Sequence, residues 1–206
     1  MPELGLRERK KQRTRQHIAA TARRLFAERG FEHVTVAEIA READVAPATV
    51  FNYFPTKEDL FYSRLEAFED ELLRAIRERP AGQTVLGAFG AFLLDQRGVL
   101  ALEDGATEQI RTVTRVITES PALLARERQV FDQYATTLAR LIAEDTKTDA
   151  TLAQVVANTL LGLHRALIAR VRERALAGAP AAEIRTDIRA QAERAIAQLE
   201  RGLKDF

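Results

Sequence analysis

The side chains in this 206-residue chain that could make or break covalent bonds are few and scattered. Its histidines, His17, His33 and His164, lie far apart, and none follows a glutamate at the three-residue spacing by which helical bundles hold paired metals. Ser63 and Ser120 lack the glycines of a nucleophile elbow, and no glycine-rich loop ends in Lys-Ser or Lys-Thr to cradle nucleotide phosphates. Without cysteine there is no disulfide framework, thiolate zinc site, iron–sulfur cluster or cysteine nucleophile. No acid–base pair stands apart from surface charge. The expectation is a protein that is not an enzyme and needs no metal or cofactor.

Hydrogen-bonding and stacking capacity concentrates instead in residues 46–57, APATVFNYFPTK. Helical spacing lets Val50 and Phe54 pack inward against Ile39 and Phe26, and turns Pro47, Ala48, Thr49, Asn52 and Tyr53 outward. Thr49 can meet a thymine methyl or donate to phosphate, Asn52 can pair with a base edge, and the Tyr53 hydroxyl suits a phosphate oxygen; Ala48 has no polar reach. Lys57 falls in the first turn of the next helix, where backbone N–H groups also attract phosphate.

Charge is distributed to match. The net charge is +1, yet the first 30 residues hold nine Lys or Arg, Arg15 among them, against three acids. This end is therefore +6 and the remainder −5. Local positive charge dominates binding to a polyanion, though a solvated basic arm without a partner would show the same asymmetry.

The elements that must position these residues are all helical: apolar residues recur at helical spacing, and alternating runs rich in Val, Ile and Thr are absent. A first helix over about 14–29 ends at Gly30, where a left-handed backbone is expected. Thr35 caps a second helix, with Glu38 completing a capping box and Val34 and Ile39 stapled across it. After 43–46, Pro47 suits the first turn of a third helix, 47–53. Thr56 and Asp59 then cap a fourth, from 57 to about 77. Further helices are predicted near 83–97, 103–119, 121–144, 149–177 and 180–202, about nine in all. Two short helices joined by a tight turn, behind a longer helix and a basic arm, meet the requirements of a helix-turn-helix reader, although tight helical corners also occur with no nucleic-acid role.

The run TVAEIAREADVAPATVFNYFPTKEDL, residues 35–60, resembles the DNA-binding region of the TetR family of bacterial regulators. The likeness extends back to about Arg13, with Thr49, Tyr53, Phe54, Lys57 and Leu60 standing where that family has its Thr, Tyr, Phe, Lys and Leu. Two positions depart from the family pattern. Asp44 replaces a common turn glycine, which Asp tolerates better than most residues, and Ala46 replaces a common serine, removing an N-cap worth about 1 kcal/mol.

The resemblance implies a DNA-binding domain over 1–59 and a larger helical ligand-binding and dimerisation domain over 60–206. It implies a ligand-responsive repressor that binds a palindromic operator as a homodimer and is released by a small-molecule effector. The candidate DNA contacts are Arg15, Thr35, Pro47, Ala48, Thr49, Asn52, Tyr53 and Lys57.

In the larger domain, Leu160, Leu163, Leu167 and Val171, with Ile184, Ile188, Ala195 and Leu199, form stripes on the last two helices. They could pair with a second copy or serve as intrachain core. Candidate effector contacts are polar groups set in apolar faces, Tyr134, Asn158, His164 and Arg165, with Phe89, Phe92, Leu93, Ile110, Val113, Ile117, Phe131 and Leu161 as walls. Each could equally be core. Residues 119–144 resemble the C-terminal domain of regulators near mycofactocin genes, which implies a hydrophobic or acyl-thioester-like effector. Arg111, Arg115, Arg126 and Arg128 could receive its anionic head group.

The alternative is a helical adaptor or membrane-surface protein lying on lipid through Ile18, Leu25 and Phe26, a face that also suits the core of the small domain. The longest apolar run, 85–94, is about half of a membrane span, and no secretion signal follows the basic N-terminus. A cytoplasmic location is expected.

Overall fold

A computed structural model describes residues 5–95, 100, 102 and 105–202, and for Leu6 and 64–67 the backbone alone. Among the described residues there are nine α-helices and no strand: α1 (Leu6–Arg29), α2 (Val36–Glu42), α3 (Pro47–Tyr53), α4 (Lys57–Arg77), α5 (Val85–Leu94), α6 (Ala106–Glu119), α7 (Pro121–Thr146), α8 (Ala150–Leu176) and α9 (Ala181–Gly202). The main departure from the expected spans is α1, which starts about two turns early. Residues 6–13 have no apolar periodicity, but their Arg, Lys, Gln and Glu are good helix formers that propagate a helix already nucleated by the packed half of α1.

The chain forms two compact units, Met1–Glu66 with Arg115–Arg126, and Ala67–Thr114 with Glu127–Phe206. In the first, Ile18, Leu25, Phe26, Val34, Ile39, Val50, Phe54 and Leu60 form one buried core with Val116, Ile117 and Leu123. Ile18, Leu25 and Phe26 are at most 1% exposed, so the face proposed for lipid lies inside this core. Ile117, expected as a wall of an effector pocket, is core of the same unit, because the end of α6 folds in with α1–α4.

Polar contacts hold residues 115–126 in this unit. Ser120 Oγ donates to Glu32 Oε1 (2.5 Å), Tyr62 Oη donates to the Leu123 carbonyl (3.0 Å), and Arg126 forms an ion pair with Asp59 at 2.6 Å.

In the second unit α8 packs against α9 and α5, and α5 against α9. Gly90 permits the last approach: a Cβ there would sit 3.1 Å from Ile196 Cγ2. Of the two uses open to the stripes on the last two helices, this packing gives most of their residues to intrachain core. Leu160, Leu167, Val171, Ile184 and Ile188 are buried within their own chain, and Leu163, Ala195 and Leu199 are half-buried. The apolar surface that α8 leaves exposed is a different set, Leu152, Val155 and Leu176, with Gly162 and Ala166 between them.

The expectation that no segment matches a membrane span also needs amending. α8 has 27 residues, and an 18-residue window of it reaches a mean hydropathy of 1.3, enough by length and composition to cross a bilayer. Nine of its residues, His164 among them, are buried, the pattern of a helix at the centre of a bundle.

Candidate nucleic-acid interface

The entry to the site is the start of α2. Thr35 Oγ1 accepts from the Glu38 N–H (3.2 Å), and Glu38 Oε2 accepts from both the Thr35 N–H and its hydroxyl, each at 2.8 Å. These bonds hold the Glu38 carboxyl below the ordinary carboxylate range. Val34 and Ile39, flanking the cap, are fully buried.

The turn out of α2 is a Schellman motif: Val45 N–H donates to the Ala40 carbonyl (3.0 Å) and Asp44 N–H to the Arg41 carbonyl (3.2 Å). The motif requires a positive φ at Asp44, and φ there is 52°. An aspartate occupies that region more readily than most residues, so the turn forms without glycine. Gly30 is a different case. Its φ of 81° with ψ of 155° is an extended positive-φ conformation rather than the left-handed helical one, a region that only glycine enters without strain.

α3 begins with Pro47 in its first turn and no side-chain cap from Ala46. Val50 and Phe54 are buried in the unit's core. Pro47, Ala48 and Asn52 are exposed, and Thr49 and Tyr53 half-buried, so the five outward candidates lie on the accessible side of the helix. A sixth residue belongs with them. Phe51 is 51% exposed, and the periodicity that buries Val50 and Phe54 could have pointed to it.

Behind α3, the Thr56 N–H donates to Asp59 Oδ2 (3.0 Å) and the Asp59 N–H to Thr56 Oγ1 (3.2 Å), which caps α4 as expected. Lys57 Nζ donates to the Phe31 carbonyl (2.9 Å) and lies 4.1 Å from the Phe31 ring centre. It thus ties the start of α4 to the α1–α2 connection and, half-buried, places a positive charge beside the end of α3. The Arg15 guanidinium sits 4.9 Å over the Phe54 ring, a second cation against the same end. The Thr35 hydroxyl is engaged in the capping box, so its first role is to set the start of α2.

The effector candidates divide between buried and exposed positions. Phe89, Phe92, Phe131, Tyr134, Leu161 and His164 are buried in the second unit, as is Leu93, whereas Asn158 and Arg165 are exposed, Val113 is 38% exposed and Ile110 is half-buried. His164 stacks on Phe68 (4.4 Å between ring centres, 11° between planes), and Phe68 meets Phe92 edge-on at 5.2 Å. Burial pushes the His164 imidazole down to about 4, and its Nδ1 has no hydrogen-bond partner among the described residues.

A cavity of about 400 Å³ lies between the end of α4, the following loop and α5, lined by Glu71, Arg74, Glu78, Arg79, Phe92 and Asp95 among others. Phe92 alone is shared with the expected walls. The four arginines proposed for an anionic head group are also dispersed. Arg126 pairs with Asp59 and Arg111 with Glu108 (2.8 Å), while Arg115 and Arg128 are exposed.

The family model for bacterial regulatory proteins of the tetR family matches residues 18–63, which contain the capped α2, the Schellman turn and α3. The HTH-type transcriptional regulator TcmR of Streptomyces glaucescens is 38% identical over 144 residues, 68% of this chain; the match spans 63% of TcmR's own length. MftR of Mycobacterium tuberculosis, named as a regulator of mycofactocin biosynthesis, is 29% identical over 172 residues, 79% of this chain and 82% of MftR. The crystal structure of NalD from Pseudomonas aeruginosa shares the fold, with a TM-score of 0.57 at 20% identity over 93% of this chain and 96% of NalD. Residues 18–63 are thus a helix-turn-helix DNA-binding region of the tetR family of bacterial regulatory proteins, and TcmR and MftR, to which the chain is similar, are transcriptional regulators.

Proposed function

We propose that this chain is a ligand-responsive repressor that binds a palindromic operator as a homodimer and is released by a small molecule held in its second unit. The observation that carries the reading is α3, presented outward by a buried core, with Lys57 and Arg15 beside its end and the basic first half of α1 in the same unit. A dimer would place two copies of α3 about one DNA turn apart, roughly 34–36 Å. The cytoplasm is where such a protein would meet its operator.

The exposed face of α8, Leu152, Val155 and Leu176, supports pairing through the last two helices. Two features support an effector site in the second unit: the cavity beside Phe92, and the aromatic group of Phe68, Phe92, Phe131 and His164. The aromatic character of that group suits a hydrophobic effector. The chain passes between the units within α4, α6 and α7, so a ligand that favours one arrangement of these helices would shift the population away from the docking-competent state.

The test is selection of random duplexes by the purified full chain, followed by binding titrations at several salt concentrations. Selected fragments should show dyad symmetry; asymmetric fragments would count against the dimer. Tyr53→Phe and Lys57→Ala should weaken operator and random DNA alike, and Lys57→Ala should lower the salt slope by about one. Unchanged affinity in both variants would refute this docking of α3.

A further inference from the structure

We propose that α3 reads its operator through thymine C5-methyl groups, with Phe51 as the principal reader, flanked by Ala48 and Pro47, and with Asn52 pairing to an adjacent adenine. The proposal rests on the docking of α3 proposed above. It concerns which chemical features of the duplex the helix distinguishes.

The face that α3 presents carries no charge. Between Val45 and Thr56 the chain has no charged residue. The side chains that read guanine O6 and N7, Arg and Lys, and those that accept from cytosine N4, Asp and Glu, are thus absent from α3 itself. The exposed residues are Pro47, Ala48, Phe51 and Asn52, three of them apolar. In the major groove the C5-methyl of thymine is the base-edge group that an apolar side chain can meet, and Asn is suited to the N6 and N7 of adenine.

Phe51 stands out on this face by its exposure. Among the described residues every other phenylalanine is buried or half-buried, whereas Phe51 leaves 51% of its surface in water. Pro47, Ala48, Phe51 and Asn52 stand at i, i+1, i+4 and i+5, so they form one continuous strip covering about 7 Å of helix axis at 1.5 Å per residue. At about 3.4 Å per base step, that length faces two to three consecutive base pairs. Asn52 adjoins Phe51 in the strip, which places a methyl reader and an adenine reader side by side.

Charge complementarity commits this face to duplex DNA rather than to an apolar protein partner. The strip is uncharged, but Arg15 and Lys57 stand by the end of α3 within the same unit, as phosphate contacts flanking base contacts require.

The experiment uses duplexes selected by the full chain, with each thymine of a half-site replaced singly by deoxyuridine, which keeps the hydrogen-bond pattern and removes the methyl. At one or two positions per half-site the affinity should fall about three- to fourfold, the worth of one buried methyl-sized group. In Phe51→Ala the difference between thymine and deoxyuridine at those positions should disappear while the salt slope is kept. Phe51→Leu, which keeps apolar bulk, should retain part of it and serves if the alanine variant melts early.

Equal affinity for thymine and deoxyuridine duplexes throughout, or undiminished discrimination in Phe51→Ala and Phe51→Leu, would overturn the proposal while leaving the docking of α3 intact. Failure of the full chain to bind any duplex would overturn the docking itself, and retention of a protein partner through Phe51 in its place would assign the strip to that partner.

Discussion

Single residues in this chain do work that their type does not announce. His164 was a candidate effector contact because a polar ring interrupts an apolar face, but it lies 3% exposed and stacked on Phe68. Burial disfavours its charged form, so its folded value of about 4 lies below the ordinary 6.5. As pH falls the unfolded chain therefore takes up this proton first. The contribution to stability is complete above pH 6.5 and is lost as the pH falls toward 4. Between pH 7 and pH 5 the chain should lose about 2 kcal/mol more than His164→Phe, measured by urea unfolding at both values. Parallel losses in the two proteins would show that the ring is not protonated on unfolding.

Arg126 shows the same lesson for a cation. Its sequence context suggested a place for an anionic head group, yet it is drawn onto Asp59, whose other oxygen caps α4. A residue's type states what it can bind, and its neighbours decide what it does bind.

At the scale of elements, caps and turns were the most legible features. Thr35, Glu38, Thr56 and Asp59 act through backbone groups three residues away and Pro47 through its own fixed φ, and such local rules survive whatever the rest of the fold does. Thr35→Ala should lower stability by about 1 kcal/mol in urea unfolding, and Thr35→Asn should restore most of it. Equal losses in both would show that the capping bond is not what Thr35 contributes. The early start of α1 was not legible, because residues 6–13 have no apolar face and become helical only by continuation from the packed half. Phe51 also escaped the sequence reading. An aromatic ring amid an apolar run reads as core, and the rotation of the helix by one position is what turns it to water.

At the scale of the whole molecule, the surfaces left uncovered by the subunit's own packing are the ones a second copy could meet. With the inner stripes of α8 and α9 buried or half-buried, the proposed homodimer would pair through the outer face of α8, where Val155 is 53% and Leu152 39% exposed. Val155→Glu should convert a dimer sedimenting at micromolar concentration into a monomer without lowering the melting temperature of the subunit's own core. A native chain that already sediments as a monomer, or a variant that remains dimeric, would remove this face from the interface.

The sequence by itself determined the class of fold, the starts of α2, α3 and α4 and the outward polar residues of α3, because helical periodicity, capping and turn chemistry act over four or five residues. Only the tertiary structure decided which apolar stripe became core, that Ile117 joined the DNA-reading unit, and that a cavity opened where Phe92 is the one expected wall. The hydrophobic effect removes apolar area from water without specifying the partner, so a stripe on a helix looks the same whether its own chain, a second copy or a ligand comes to cover it.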